Sequence, residues 1–372
     1  MTSQTSSVPV PIMVTRSTLP PLEEYLGYIR QIWDTHCLTN NGPLVRELEQ
    51  RLASYLASPH IWFVTNCTAA LQIAIKALNL QGEIITTPFS YVATTSAVLW
   101  ESCTPVFVDI RLGDLTIDPN LIEAAITPRT RAILATHVYG FPCDVAAISD
   151  IARRHNLKVI YDAAHTFGCR LDGRALATFG DVSCLSFHAT KIFHTVEGGA
   201  IVINDDASLA ERIRLTRAFG HHRDDHRHLG INGKNSEFHA AMGLCNLVHL
   251  DANLARHRRQ HDNYSQLLSG TSVRIPRPES VNLEYNYAYF PVLLPTESAV
   301  ERSLAALAAL NIYPRRYFYP SLNRISYISG HPCPVSESAA EKVLCLPMSD
   351  LVTPELQEII IGTLVAHARA PA

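Results

Sequence analysis

Between Gly42 and Asp162 the chain switches repeatedly between short β-branched runs and helical stretches that open on Thr, Ser or Pro. That alternation is the pattern of a parallel sheet covered by helices, and it constrains the fold more than any other feature. The spacing predicts strands over 61–65, 83–86, 105–108, 131–135 and 157–161, with helices over 68–80, 91–102, 119–126 and 144–155. Two further apolar runs, 182–187 and 200–204, extend the sheet on either side of a polar loop that contains Lys191. A long helical tract is expected over 236–268. After a proline-spaced linker at 274–278, a strand over 287–294 and helices over 297–310 and 354–367 predict a second, smaller α/β domain. The expected layout is a frayed leader over 1–15, a large domain over 16–250, and a long helix with a small C-terminal domain over 251–372.

Composition narrows the function classes. The chain has 372 residues, 47% of them apolar, enough to bury one large core or two ordinary ones. With 31 basic and 34 acidic side chains it carries no charge excess that would ask for nucleic acid or a membrane surface. The nine cysteines are scattered singly without a C-x-x-C pair, which reads as buried thiols in a reducing, cytoplasmic setting. The Ser/Thr/Pro-rich start lacks the basic and apolar parts of a signal peptide, and no apolar run approaches the ~20 residues of a membrane span. No G-x-G-x-x-G follows a strand and no G-x-x-x-x-G-K-[ST] occurs, so dinucleotide and P-loop readings lose their main support.

In an open parallel sheet ligands sit beyond the carboxyl ends of the strands, so the residues that follow each strand carry the chemistry. Asn66-Cys67-Thr68-Ala69-Ala70 opens a helix whose free N–H groups suit a phosphate, or else Asn66 or Thr68 simply caps it. Pro88-Phe89-Ser90-Tyr91 places an aromatic ring beside the same crevice, although alone it reads as core. Asp162-Ala163-Ala164-His165 offers a carboxylate for a protonated ring nitrogen, or another cap. Ser186-Phe187-His188-Ala189-Thr190-Lys191 leads to Glu197-Gly198-Gly199, a turn that sends the chain back into the sheet. A single loop lysine is usually solvated. Together, however, a lysine for a Schiff base, an Asp for a pyridinium nitrogen, an aromatic for the ring face and a helix start for a phosphate are the parts of a pyridoxal phosphate site.

At these residues the chain resembles the DegT/DnrJ/EryC1/StrS family of sugar aminotransferases. The likeness is carried also by Thr39-Asn40-Asn41-Gly42-Pro43-Leu44-Val45, by Val92-Ala93-Thr94 and by Gly230-Ile231-Asn232-Gly233-Lys234-Asn235-Ser236-Glu237. It implies an α/β protein of the aspartate aminotransferase fold (fold type I of pyridoxal phosphate enzymes), with a large, mostly parallel mixed-sheet domain and a smaller C-terminal α/β domain. By resemblance Lys191 bears the Schiff base, Asp162 pairs with the pyridine nitrogen, Tyr91 lies against the ring and His165 lies near the ring face and its hydroxyl. The phosphate falls to Asn66, Cys67, Thr68 and Ser186, and to Asn232 reaching across from the other subunit of a homodimer. Cys67, His165 and Asn235 stand where glycine, glutamine and methionine are usual in the family.

The resemblance also implies a nucleotide-linked keto-sugar and L-glutamate as substrates. It is nearest to the branch that aminates dTDP-4-keto-6-deoxy-D-glucose at C4, with a 3-keto dTDP-sugar or a UDP- or GDP-linked 4-keto sugar as alternatives. Asn41, Gly42, His188, Arg223, Arg315, Arg316 and Tyr319 are the candidate substrate contacts, the arginines because paired guanidiniums suit a diphosphate. The tract from His221 to His228 reads as a hydrated loop rather than a metal site, because its spacing is irregular. A non-catalytic ligand sensor of the same fold would not need Lys191.

Overall fold

The sheet predicted from the strand-helix alternation is the centre of the structure, a computed structural model that describes residues 10–278, 282–328 and 330–368. Two helices precede it, α1 (Leu22–Thr35) and α2 (Pro43–Leu56). In α2, Pro43 takes the first helical position, where a missing N–H costs nothing, and Leu44, Val45, Leu48, Leu52 and Leu56 form one buried stripe. Strands β1 (His60–Val64), β2 (Glu83–Thr86), β3 (Thr104–Phe107), β4 (Thr130–Thr136), β5 (Lys158–Asp162), β6 (Val182–Ser186) and β7 (Gly199–Ile203) make a seven-stranded sheet. Their order is β1-β7-β6-β5-β4-β2-β3, and all neighbours run parallel except β7, which is antiparallel to β1 and β6.

Helices α3 (Cys67–Ala77), α4 (Val92–Trp100), α5 (Val145–His155), α6 (Ala207–Thr216) and α7 (Glu237–Val248) cover both faces. The strand period of two separates the cores. Along β7, Ala200 and Val202 join Leu48, Leu52, Ala240 and Leu244 on the α2 and α7 side. Ile201 and Ile203 join Leu71, Ile75 and Ile213 on the α3 and α6 side. Register then aligns the strand ends: Thr136 pairs with Asp162, Asp162 with Cys184, and Gly199 with both Ser186 and Val64. The carboxyl ends of β1, β4, β5 and β6 meet at one edge.

A second core follows α8 (Leu250–Leu267), built on the antiparallel pair β8 (Phe290–Leu293) and β9 (Val343–Leu346) with α9 (Glu297–Ala309), α10 (Pro334–Lys342) and α11 (Pro354–Ala368). Phe290, Val292, Leu307, Leu344, Leu346, Ile360 and Leu364 fill it.

Three expectations are revised. The tract over 236–268 is two helices that meet at His249, since α7 is buried in the first core while α8 must reach the second. Helix α8 runs between the two cores: its Leu250 belongs to the first and its Tyr264 to the second. The helix over 119–126 is two 3₁₀ turns, Pro119–Leu121 and Glu123–Ala125, in a short segment that runs into Pro128. Of the expected frayed leader, residues 1–9 lie outside the described residues, whereas Ile12–Met13 pairs in parallel with Ile312–Tyr313 and Val14 is buried. Ile12 is half-buried there too, while Val10 and Met13 stay exposed. Helices α1, α2, α6 and α10 were not anticipated. No helix among the described residues is long and apolar enough to cross a membrane.

Candidate active site

A cavity of about 430 Å³ opens at the edge where the strand ends meet. Its floor is Asp162, the last residue of β5, which is 5% exposed. Thr94 donates its hydroxyl to Asp162 Oδ2 at 2.6 Å, and the Ala164 N–H donates to Oδ1 at 3.1 Å. Ser90 extends this network, 2.7 Å from Thr94 Oγ1 and 3.0 Å from Thr136 Oγ1. Burial pushes the Asp162 carboxyl above the usual range, while the two hydrogen bonds and the charge of Lys191 pull it back. The carboxylate is thus held in one orientation by groups from β4, α4 and its own turn.

Lys191 comes from the loop between β6 and β7 and donates from Nζ to the Tyr289 hydroxyl at 3.1 Å. The residue is half-buried because its amine faces the cavity, yet protein surrounds the amine closely enough that desolvation lowers its pKa, with Asp162 opposing. The glycines after the loop are steric necessities. A Cβ on Gly198 would stand 2.0 Å from Thr195 Oγ1, and one on Gly199 would stand 2.8 Å from the Cys67 nitrogen. Only bare backbone lets β7 start against the first turn of α3.

That turn resolves two competing readings. Asn66 is the cap of α3, its Oδ1 accepting from the Ala69 N–H at 2.8 Å, so the capping reading holds for its side chain. The phosphate reading survives in the backbone: Cys67 and Thr68 line the cavity at the first helical turn, where no intrahelical carbonyl can satisfy their N–H groups. Ser186, the last residue of β6, lines the cavity too, and the Cys67 thiol turns away toward the Cys184 carbonyl at 3.5 Å.

His165 lines the cavity with a defined tautomer. Its Nδ1 accepts the Tyr139 N–H at 3.0 Å, so the ring proton is on Nε2, and burial pushes its pKa well below the ordinary histidine value. The ring packs 4.4 Å from Tyr289 and 5.8 Å from Phe318 between centroids. Tyr91 stands at the opening, 60% exposed. From the C-terminal unit Arg315, Tyr317 and Phe318 close the far wall, and His188 Nε2 faces Glu197 Oε1 at 3.5 Å on the near side.

An amine, a buried oriented carboxylate, a neutral imidazole and an unsatisfied helix start in one enclosed space fit pyridoxal phosphate group by group. The sequence profile of the DegT/DnrJ/EryC1/StrS aminotransferase family matches residues 22–365. The chain belongs to that family. This family member is a pyridoxal-phosphate-dependent aminotransferase. It is 43% identical over 364 residues, 95% of this chain and 98% of the relative, to a dTDP-4-amino-4,6-dideoxy-D-glucose transaminase of Shigella dysenteriae. A protein of the same description from Escherichia coli is 39% identical over 95% of this chain and 99% of its own. Among solved structures, DesI in the presence of its TDP-sugar product superposes with a TM-score of 0.90 at 33% identity, covering 96% of this chain and 93% of that one.

Of the sequence-derived site, Asn66, Cys67, Thr68, Tyr91, Asp162, His165, Ser186, His188, Lys191 and Arg315 line the cavity, and six candidates do not. Gly42 is buried against Glu237, where a Cβ would stand 2.5 Å from Cδ, and Asn41 borders a separate groove beside Arg46 and Glu49. Arg316 turns from Arg315 to pair with Glu297 at 2.8 Å and lies 3.4 Å over the Tyr319 ring. Arg223 sits in the turn of an exposed hairpin, His221–His222 with Asp225–His226. Asn232 accepts from Lys234 Nζ at 2.8 Å, outside the cavity. No group of three or more His, Cys, Asp or Glu side chains that could hold a metal occurs among the described residues.

Thr94, Tyr289 and Phe318 were missed. For Thr94 a signal existed, since Ser90 and Thr94 are four positions apart where α4 begins. For the other two nothing local distinguishes them from core aromatics.

Proposed function

We propose that this aminotransferase moves the amino group of L-glutamate to C4 of dTDP-4-keto-6-deoxy-D-glucose, giving dTDP-4-amino-4,6-dideoxy-D-glucose, as a cytoplasmic homodimer with shared sites. The observation that carries the substrate is the identity of 43% and 39%, over 95% of the chain, to two transaminases described by that product. All nine cysteines are free thiols, which supports the reducing setting.

Pyridoxal phosphate, when bound, supplies an aldehyde that condenses with amines and a ring that takes up the electron pair left when a neighbouring C–H bond breaks. Lys191 Nζ would hold the cofactor by condensing with that aldehyde. Once displaced by glutamate, its amine would serve as the base: burial lowers its pKa from the ordinary lysine value, which favours the free amine that takes the proton from Cα and later returns it. Asp162 would keep a proton on the ring nitrogen, with Thr94 holding Asp162 aimed. Cys67 and Thr68 donate backbone N–H groups and Ser186 its hydroxyl to the phosphate. His165 would offer its Nε2–H to the cofactor from the cavity wall, and Tyr91 would flank it at the opening. Arg315 and His188 meet the nucleotide diphosphate. Running the same proton transfers in reverse on the sugar ketone gives ping-pong kinetics.

Asn232 supports the shared site. It lies outside its own cavity on a segment whose apolar neighbours Phe219, Leu229 and Ile231 are 51%, 73% and 44% exposed, a surface suited to a second copy. Mixing an Asn232→Ala chain with a Lys191→Ala chain tests this: heterodimers then hold one doubly defective and one intact site, and activity returns on mixing. No recovery despite proven subunit exchange counts against sharing. The substrate is tested by incubating the enzyme and glutamate with each keto-sugar and locating the new C–N bond by NMR. Amination at C3, or preference for a UDP or GDP sugar, overturns the substrate and leaves the chemistry standing.

A further inference from the structure

Tyr289 immediately precedes β8 in the C-terminal unit, yet its hydroxyl accepts the Lys191 amine of the large domain at 3.1 Å. Its ring has little freedom. It is 5% exposed and wedged 4.4 Å from His165, 6.0 Å from Tyr139 and 6.1 Å from Tyr317, centroid to centroid, the last at 82°. The hydroxyl is therefore a fixed point. Burial raises the phenol's pKa well above its ordinary value, so the acceptor facing Nζ is uncharged.

The charge state matters for a lysine that must work as a base. A carboxylate at this position would hold the ammonium form and raise its pKa, which suppresses the free amine. A neutral phenol oxygen accepts an N–H from either form, because the free amine keeps two N–H bonds and the ammonium has three. While one N–H is spent on Oη, the lone pair of the free amine points elsewhere. Nothing charged needs to move when the proton arrives.

We propose that Tyr289 is the positioning residue of Lys191: whenever the amine is not covalently engaged, the phenol oxygen anchors Nζ and leaves its lone pair directed into the cavity. In the proton transfer the C–H bond of the amino acid breaks and an N–H bond forms on Nζ, and no proton passes to or from the phenol. The inference rests on the role proposed for Lys191, and the experiment separates the two.

Tyr289→Phe removes one oxygen and keeps the packed ring. The variant should stay yellow and borohydride-sensitive, with KM for glutamate and keto-sugar within about twofold, while kcat falls about 10- to 100-fold, the size expected for a misplaced group. Cofactor uptake gives a readout apart from turnover. Pyridoxal phosphate added to cofactor-stripped full-length variant should reach its final absorbance several-fold more slowly than in the wild type, with the same amplitude. Unchanged kcat and uptake rate overturn the proposal, as does a raised KM with unchanged kcat, which would make the hydroxyl a sugar contact. If the Phe variant folds poorly, fluorotyrosine at 289 weakens the oxygen as an acceptor without changing the packing. A slowed uptake at fixed pH then supports the proposal and an unmoved rate overturns it. Wild-type protein without borohydride-sensitive colour on the Lys191 peptide would instead refute the lysine assignment.

Discussion

The floor and the opening of the cavity are built differently. At the floor, Asp162 ends a strand, Cys67 and Thr68 start a helix and Ser186 ends another strand. Asp162 is further tied down by Thr94 and Ala164 at 2.6 and 3.1 Å. At the opening, Tyr91 is 60% exposed, His188 and Glu197 face each other at 3.5 Å with exposed side chains, and Arg315 arrives on a loop of the C-terminal unit. The floor serves steps common to any amino donor and acceptor, so rigidity is an advantage there. The opening must tell one sugar nucleotide from another, and loops carry that without disturbing the sheet.

The contrast breaks most severely at the floor. Lys191→Ala should fold, since it removes a loop side chain from the cavity wall, but should lose borohydride-sensitive colour and on the order of 10⁴-fold or more in turnover. Retained turnover near the wild-type rate would remove Lys191 from the mechanism. Asp162→Asn should keep the colour and lose about 100- to 1,000-fold in kcat, because a neutral amide no longer favours the protonated ring. A fully active amide variant would reduce Asp162 to a turn-stabilising residue.

Thr94→Val sharpens the comparison one residue back. The Thr94 hydroxyl stabilises the carboxylate form of Asp162, whose pKa burial has already raised, so losing it raises that pKa further. As pH falls, Asp162 should become protonated earlier, and the acid limb of the kcat profile should move to higher pH, with about a tenfold loss near neutrality. An unmoved acid limb would show that the hydroxyl chain does not tune the floor.

The smallest effects separate the adjacent arginines. Arg315→Gln should raise KM for the keto-sugar about tenfold and leave cofactor colour alone, as expected for one lost charge-assisted contact. Arg316→Gln should leave KM within about twofold and lower stability by roughly 1 kcal/mol, because its partners are Glu297 and the carbonyl of Glu341. Equal KM effects would mean that the opening recognises the pair as a unit.

Much of this was legible because it is local. The strand-helix alternation placed the sheet, and residues that follow strands in a parallel sheet share one edge, so Asp162, Ser186 and the turn at Asn66 could be grouped before any contact was known. Two motifs were readable without their meaning. The run from Thr39 to Val45 and the run from Gly230 to Glu237 lock onto each other: Glu237 accepts the N–H groups of Leu44 and Val45 at 2.8 and 3.0 Å, capping α2 from far along the chain. Gly42 is the residue that lets the carboxylate approach, and Asn40 and Asn41 lead into it at φ 62° and 57°, where asparagine is tolerated. Arg316 marks the opposite case, since nothing local separates it from Arg315.

By itself, then, the sequence determined the layers and grouped Asp162, Ser186, Lys191 and the turn at Asn66 around one edge, because periodicity, capping and strand ends act over a few residues. Only the tertiary structure decided which hydroxyl orients Asp162, which phenol meets Lys191 and which arginine faces the cavity. Thr94 and Asp162 are 68 positions apart and Lys191 and Tyr289 are 98. Such pairs are chosen by how two cores pack along α8 and at the cavity wall, and no period in the chain encodes that distance.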